Sequence, residues 1–153
     1  MATPDPTSTE LFTAVRGLAF AARRIERQLS AMSLAQLRIM TLVAHDPVRA
    51  SALAEGAALS RPTLTGVLEG LAAKGWIERC AVDGDRRGVT LSITSSGREA
   101  LVHAERESTS ALSELLDELQ PEQRAATIDA LGTLTTVAKQ RLAHRTAGIE
   151  LPS

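Results

Sequence analysis

The chain has no tyrosine, one tryptophan (Trp76), two phenylalanines (Phe12 and Phe20) and one cysteine (Cys80) among its 153 residues. So few rings leave almost nothing from which to build the base-stacking platforms of RNA-recognition and single-strand-binding modules. One thiol excludes an intrachain disulfide and cannot by itself assemble a structural zinc site. His45, His103 and His144 are read as lacking a second ligand at i, i+4, and no Cys/His cluster has metal spacing, so neither a metal nor any other cofactor is expected. No stretch approaches the roughly 18 uninterrupted apolar residues of a membrane span. The leading MATPDPTSTE has neither a basic n-region nor an apolar core, and the expectation is a soluble, cytoplasmic protein without a membrane partner. Catalytic machinery is missing too: there is no nucleophile elbow, no phosphate-cradling glycine loop and no carboxylate pair whose surroundings would push their pKa values apart. An enzyme is not expected.

Charge of one sign is also lacking, with 17 Lys and Arg against 18 Asp and Glu. The balance hides a gradient. Residues 1–45 carry five cations and three anions, residues 46–100 seven of each, and residues 101–153 five cations and eight anions. Any basic face in the middle third must therefore come from placement rather than excess. What the chain has in plenty is alanine and leucine, 25 and 21 residues, both strong helix formers. The fold class expected is mostly α, with a small β-hairpin.

Thr7-x-x-Glu10 has capping-box spacing and predicts the start of a first helix. Behind it Leu11, Val15, Leu18, Ala22, Ile25 and Leu29 recur at alternating steps of four and three, the seam of a helix that packs along its length on another. Ser33-x-x-Gln36 predicts a second, short and buried helix carried by Leu34, Leu37, Met40, Leu42 and Val43 to His45, where Asp46-Pro47 ends it. His45 itself fits beside the negative end of that helix. From Arg49 to Gly75 the chain reads as two short helices around a turn at Gly56–Leu59. The second is capped by Ser60 with Pro62 behind it and stopped by Gly75. Its apolar positions Leu64, Val67, Leu68 and Leu71 share one face, leaving Arg61, Pro62, Thr65, Gly66 and Glu69 on the other.

The period then shortens to two. Trp76–Cys80 and Val89–Ile93 read as strands, joined by a charged turn, Val82–Gly88, that contains Asp83-Gly84. On its strand beside Trp76 and Ile77, Cys80 is expected to be a small buried hydrophobe. After Thr94–Gly97, Leu101, Ala104, Ser108, Ala111, Leu112, Leu115 and Leu119 mark a helix of about 25 residues. Pro121 opens a last helix with Ile128, Leu131, Leu134, Ala138 and Leu142.

Two short helices around a tight turn, followed by a hairpin, make a winged helix-turn-helix. A helix of that kind fits the major groove of duplex DNA, its first turn can meet phosphates, and a basic hairpin tip can reach the adjacent minor groove. Small residues at Pro62, Thr63, Thr65 and Gly66 permit close approach, Ser60 caps the helix, and Arg61 is the side chain able to make a bidentate guanine contact. Thr63 stands in the first turn, where capping is an equal use for it. At the hairpin tip Arg86 and Arg87 are the cations, with Asp85 spaced to hold Arg87.

The run Leu53-Ala54-Glu55, Leu59-Ser60-Arg61-Pro62-Thr63-Leu64-Thr65, Leu71-x-x-x-Gly75-Trp76-Ile77-x-Arg79, Asp85-Arg86-Arg87 and Thr94-x-x-Gly97 resembles the MarR family of bacterial transcriptional regulators. It spans about 50 residues, and Asp85-x-Arg87 after the Gly75-Trp76-Ile77-x-Arg79 strand is its most specific element. The resemblance implies a homodimer with interdigitated terminal helices that binds a pseudo-palindromic operator in double-stranded DNA. It also implies repression released by a small anionic or aromatic effector bound between the dimer helices and the winged helix. The implied layout is an arm and dimerisation helix at 1–32, the winged helix-turn-helix at 33–99, dimerisation helices at 100–146 and a tail at 147–153. Independently of the resemblance, the stripes of the first and last helices exceed what a winged helix alone needs to cover. Leu11, Val15, Leu18, Ile25, Leu131, Leu134 and Leu142 are thus expected at a dimer interface. Arg16 and Phe20 are the candidate effector contacts, against the plainer roles of rim salt bridge and core residue. The rival function is a winged-helix protein-interaction module that does not bind DNA, an alternative the neutral middle third permits.

Overall fold

The structure is a computed structural model. It describes residues 7–45, 47–49, 52–53, 56–57, 59–82 and 85–147, with the backbone alone for 81–82, 85–89 and 142–147. Helix α1, Ser8–Gln28, starts on the expected capping box, the Thr7 hydroxyl accepting from the Glu10 N–H at 3.3 Å while the Glu10 carboxylate accepts from the Thr7 N–H at 2.7 Å. Helix α2, Leu34–Val43, repeats the device with Ser33 and Gln36. It stops two residues earlier than expected, and His45 Nδ1 lies 3.3 Å from the Thr41 carbonyl oxygen, in its expected place at the helix end.

Strand β1, Val48–Arg49, follows. Residues from Arg49 were expected to enter a helix directly, and this short strand is a correction. Two residues carry no readable alternation, and only pairing with a strand 42 positions along, Val48 opposite Leu91 and Arg49 opposite Thr90, makes them extended. Ala52, Leu53 and Gly56 are helical, and the Ala57 N–H donates to the Leu53 carbonyl at 2.9 Å, as the expected helix and turn require.

Helix α3, Arg61–Ala73, is capped by Ser60 and ended at Gly75, whose φ of 68° suits a residue without Cβ. The Gly75 N–H reaches Ala72 O at 2.9 Å and the Trp76 N–H reaches Leu71 O at 3.1 Å, a Schellman motif. Strands β2, Ile77–Val82, and β3, Asp85–Ile93, form an antiparallel hairpin with β1 on the far side of β3. The expected turn was too long: pairing continues to Val82 opposite Asp85, with an irregularity at Ala81/Val82 that admits the charged stretch to the ladder. Helices α4, Ser95–Leu116, and α5, Pro121–Ala147, complete the chain, α4 being shorter than expected at 22 residues.

The core lies where α2, α3, the sheet and the first half of α4 meet, and Ile39, Met40, Leu53, Leu71 and Leu91 are wholly buried there. No described polar side chain is buried. The seam of α1 is covered by this chain only in its second half, where Ala22, Ile25 and Leu29 are half-buried. There Glu114 of α4 accepts from Arg24 at 2.9 Å and from Gln28 at 3.2 Å. Leu11, Phe12, Val15 and Leu18 stay exposed, so within one chain α1 does not pack along its whole length. Along α5, Ile128, Leu134 and Val137 are exposed and Leu131 is half-buried, while the Leu142 side chain lies outside the described residues. Cys80 requires a second correction. It is exposed, because strand alternation puts it on the face opposite buried Ile77, with Glu78 and with its Sγ 3.6 Å from Ser92 Oγ.

Candidate nucleic-acid interface

The first turn of α3 is organised by Ser60. Its Oγ accepts the Thr63 N–H at 3.3 Å and lies 2.7 Å from Thr63 Oγ1, so Thr63 serves in the cap while remaining exposed. Pro62 brings no N–H to the first turn, where one would lack a helical partner anyway. The next residues split by face. Leu64, Leu68 and Leu71 are buried, whereas Arg61, Pro62, Thr65, Gly66 and Glu69 are exposed, the division the sequence predicts. Thr65 donates its hydroxyl to the Arg61 carbonyl at 3.1 Å, which leaves its methyl group and oxygen lone pairs for an outside partner. Nothing lies within 4 Å of where a Cβ on Gly66 would stand, so the middle of this face is open and shallow. No described residue pairs with the Arg61 guanidinium.

Asp85, Arg86 and Arg87 open β3 at the far end of the hairpin, Asp85 opposite Val82. Their side chains lie outside the described residues, and so does the expected Asp85–Arg87 contact. Arg79, quoted above only as part of a motif, is exposed on β2 and adds a third cation to this element.

The exit of α3 is as ordered as its entry. Thr94, the N-cap of α4, donates its hydroxyl to the Gly75 carbonyl at 2.7 Å, Ser96 donates to the same oxygen at 3.1 Å, and the Thr94 N–H reaches Trp76 O at 3.0 Å. The Thr94-x-x-Gly97 motif thus ties the start of α4 to the end of the helix with the small polar face. Lys74, marked in the sequence only by its place before Gly75, makes the tightest polar contact at that end, Nζ to Ala31 O at 2.6 Å.

Arg16 and Phe20 sit one turn apart on the exposed half of α1, Phe20 with 67% of its surface open. Surface hollows among the described residues lie elsewhere, one lined by Ser95, Arg98, Glu99 and Val102 and one along α5 at Ile128, Gly132 and Thr136. His103 has a carboxylate one turn on, Glu107 at 3.4 Å, a spacing passed over in the sequence. No three His, Cys, Asp or Glu residues come together among the described residues. No described helix is long and apolar enough to cross a membrane.

A capped helix with a shallow polar face, seated on two preceding helical segments and followed by a hairpin, defines a winged helix-turn-helix protein, here flanked by long helices on both sides. The sequence model of the MarR family matches residues 32–88 of the chain. It is 27% identical over 105 residues to the uncharacterized HTH-type transcriptional regulator YfiV of Bacillus subtilis (strain 168), a match covering 68% of this chain and 66% of that one, just under two thirds. Its fold is that of wild-type apo MarR from E. coli, with a TM-score of 0.71 at 21% identity over 86% of this chain and 98% of that one. It is equally that of the Mycobacterium tuberculosis MarR family protein Rv2887 in complex with p-aminosalicylic acid, with a TM-score of 0.68 at 21% identity over 81% and 96%. Transcriptional regulators recur among the matched proteins.

Proposed function

We propose that the protein is a homodimeric regulator of transcription that binds a pseudo-palindromic site in double-stranded DNA, and that it acts as a repressor released by a small anionic or aromatic effector. The observation that carries this reading is the outward face of α3: capped, shallow at Pro62, Thr65 and Gly66, and led by Arg61, whose guanidinium pairs with no described residue. Residues 33–99 are the DNA-reading unit. Ser60, Arg61, Pro62, Thr63, Thr65 and Gly66 enter the major groove, and Asp85, Arg86 and Arg87 meet the adjacent minor groove. Residues 1–32, the N-terminal arm and dimerisation helix, and residues 100–146 form the dimer scaffold. Leu11, Val15 and Leu18, which are open to solvent in one chain, are covered by a second copy together with Leu131, Leu134 and Leu142. Two recognition helices are then held about 34 Å apart, one turn of duplex.

Arg16 and Phe20 are the proposed effector contacts, a guanidinium for a carboxylate and a ring for an aromatic ligand, with the second wall supplied by the partner chain. That a relative binds p-aminosalicylic acid supports this choice of chemistry. The charge balance of residues 46–100 favours the rival, a protein-interaction module, and one titration separates the two. Fluorescence anisotropy with the duplex upstream of the protein's own gene should show tight binding that weakens with a log–log salt slope of about −0.9 per phosphate contact and is lost in Arg87→Ala. A folded dimer that binds neither this duplex nor a randomised pool at low salt refutes the DNA reading.

A further inference from the structure

The end of α3 is gripped from two directions. On one side, the start of α4 holds the Gly75–Trp76 turn through Thr94 and Ser96. On the other, Lys74 reaches across to the loop between α1 and α2, donating to the Ala31 carbonyl at 2.6 Å while its ammonium stands 4.5 Å from the centre of the Trp76 ring. The residue before Ala31 is held in turn. The Ser30 N–H donates to Glu107 Oε2 at 3.2 Å, and hydrogen bonding from Ser30, its side chain first, holds the Glu107 pKa below the ordinary carboxylate value. Two consecutive backbone groups of one loop are therefore clamped by opposite charges, Ser30 by an anion from the middle of α4 and Ala31 by a cation at the end of α3. Charge-assisted bonds of this kind are the short and directional ones.

Lys74 is not placed to touch DNA by way of the helix start. Thirteen residues separate the two ends of α3, about 20 Å of helix axis. Its groups are exposed, so the bond adds little to global stability. What it does constrain is orientation. Leu64, Leu68 and Leu71 seat α3 on the core and the Gly75–Trp76 turn ends it, and Lys74 adds a directional attachment at that end.

We propose that Lys74 is a positioning residue: by anchoring the end of α3 to the Ser30–Ala31 loop, which Glu107 holds to α4, it sets the pitch at which the recognition helix is presented relative to the dimer scaffold. This inference rests on the DNA-binding reading above. A small rotation at the anchored end displaces the far end of a 20 Å rod, where base contacts are made and where misplacement is costly.

Trp76 is the sole tryptophan in a chain without tyrosine, so the fluorescence reports the surroundings of this one ring, Lys74 among them. The test compares the full-length protein with Lys74→Met, which keeps the stem and removes the ammonium, and with Lys74→Arg, which retains a cationic donor. In Lys74→Met the Trp76 emission changes while the far-UV circular dichroism and oligomeric mass do not, and affinity for the specific duplex falls about five- to tenfold, the size of one ordinary hydrogen bond. The salt slope stays at the wild-type value because no phosphate contact is lost, and Lys74→Arg recovers most of the affinity. Glu107→Gln, acting on the same loop from the other side, weakens binding in the same direction and less than additively with Lys74→Met. A salt slope reduced by about 0.9 would make Lys74 a direct phosphate contact and overturn the proposal. So would unchanged affinity in both the Lys74→Met and Glu107→Gln proteins, when the wild type binds. Should the wild type bind no duplex, the DNA reading falls and this proposal falls with it. If Lys74→Met fails to fold, Glu107→Gln decides by the same readouts.

Discussion

Gly97→Ala puts the junction between α3 and α4 to a direct test. A Cβ at this position would stand 2.1 Å from the Trp76 carbonyl oxygen, 2.9 Å from its carbon and 3.0 Å from Ile93 Cγ1. Carbon–oxygen contacts are comfortable at about 3.3 Å, so the new methyl group is more than 1 Å too close to a backbone atom. That atom cannot swing away as a side chain would, because it accepts the Thr94 N–H at 3.0 Å. Relief requires the start of α4 to lift from the Gly75–Trp76 turn. Lifting weakens the bonds from Thr94 to Gly75 and Trp76, about 1 kcal/mol each, in addition to about 1–3 kcal/mol for forcing extra volume into a filled site. Alanine's better helix propensity returns at most about 1 kcal/mol. The net loss is about 2–4 kcal/mol, and the melting temperature should fall by roughly 5–15 °C for a chain of this size. Thermal melts by far-UV circular dichroism at one fixed protein concentration measure it, since the melting temperature of a dimer varies with concentration. A melting temperature equal to or above that of the wild type would show that propensity outweighs the contact, and the close approach of α4 to the turn would be refuted.

Gly66→Ala should separate stability from binding. With nothing within 4 Å of its Cβ, the variant gains about 0.5–1 kcal/mol of stability, yet it loses about tenfold or more in DNA affinity because the methyl group stands where the helix meets the groove; unchanged affinity would take Gly66 out of the interface. Val15→Glu puts a charge on the exposed half of α1 and should shift sedimentation from dimer to monomer with helicity kept; an undisturbed dimer would place the interface elsewhere. Glu107 titrates below the ordinary carboxylate value in the folded chain, chiefly through its hydrogen bond from Ser30. Its contribution is therefore present above the ordinary carboxylate range and disappears as pH falls through the lowered folded-state value. Denaturant melts should show Glu107→Gln less stable than wild type at neutral pH, with the difference vanishing in acid, and a difference independent of pH would refute the assignment.

Much of this protein was legible without coordinates, for a physical reason that differs between elements. Caps at Thr7, Ser33 and Ser60 join residues three positions apart, so they appear in a reading of the chain alone. The division of α3 into buried leucines and an exposed, small-residue face follows from a period of 3.6 and needs no neighbour to reveal it. The candidate interface was readable for the same reason, since Ser60 to Gly66 and Asp85 to Arg87 are contiguous stretches.

Long-range partnership was decided by the tertiary structure. Strand β1 exists because Val48 meets Leu91, and two residues hold no periodicity that could announce it. Cys80 faces solvent because the register of β2 puts Ile77 inward, an outcome that composition could not distinguish from its opposite. Gly97 is glycine because a carbonyl 21 positions earlier occupies the place of its side chain, and Lys74 finds an acceptor 43 positions away. The seam of α1 was visible as a pattern, but only packing showed that α4 of the same chain covers its second half and leaves the first half open. Local chemistry set the helices, their ends and the face offered to a ligand; which elements hold that face in position depended on contacts whose sequence separation leaves no periodic trace.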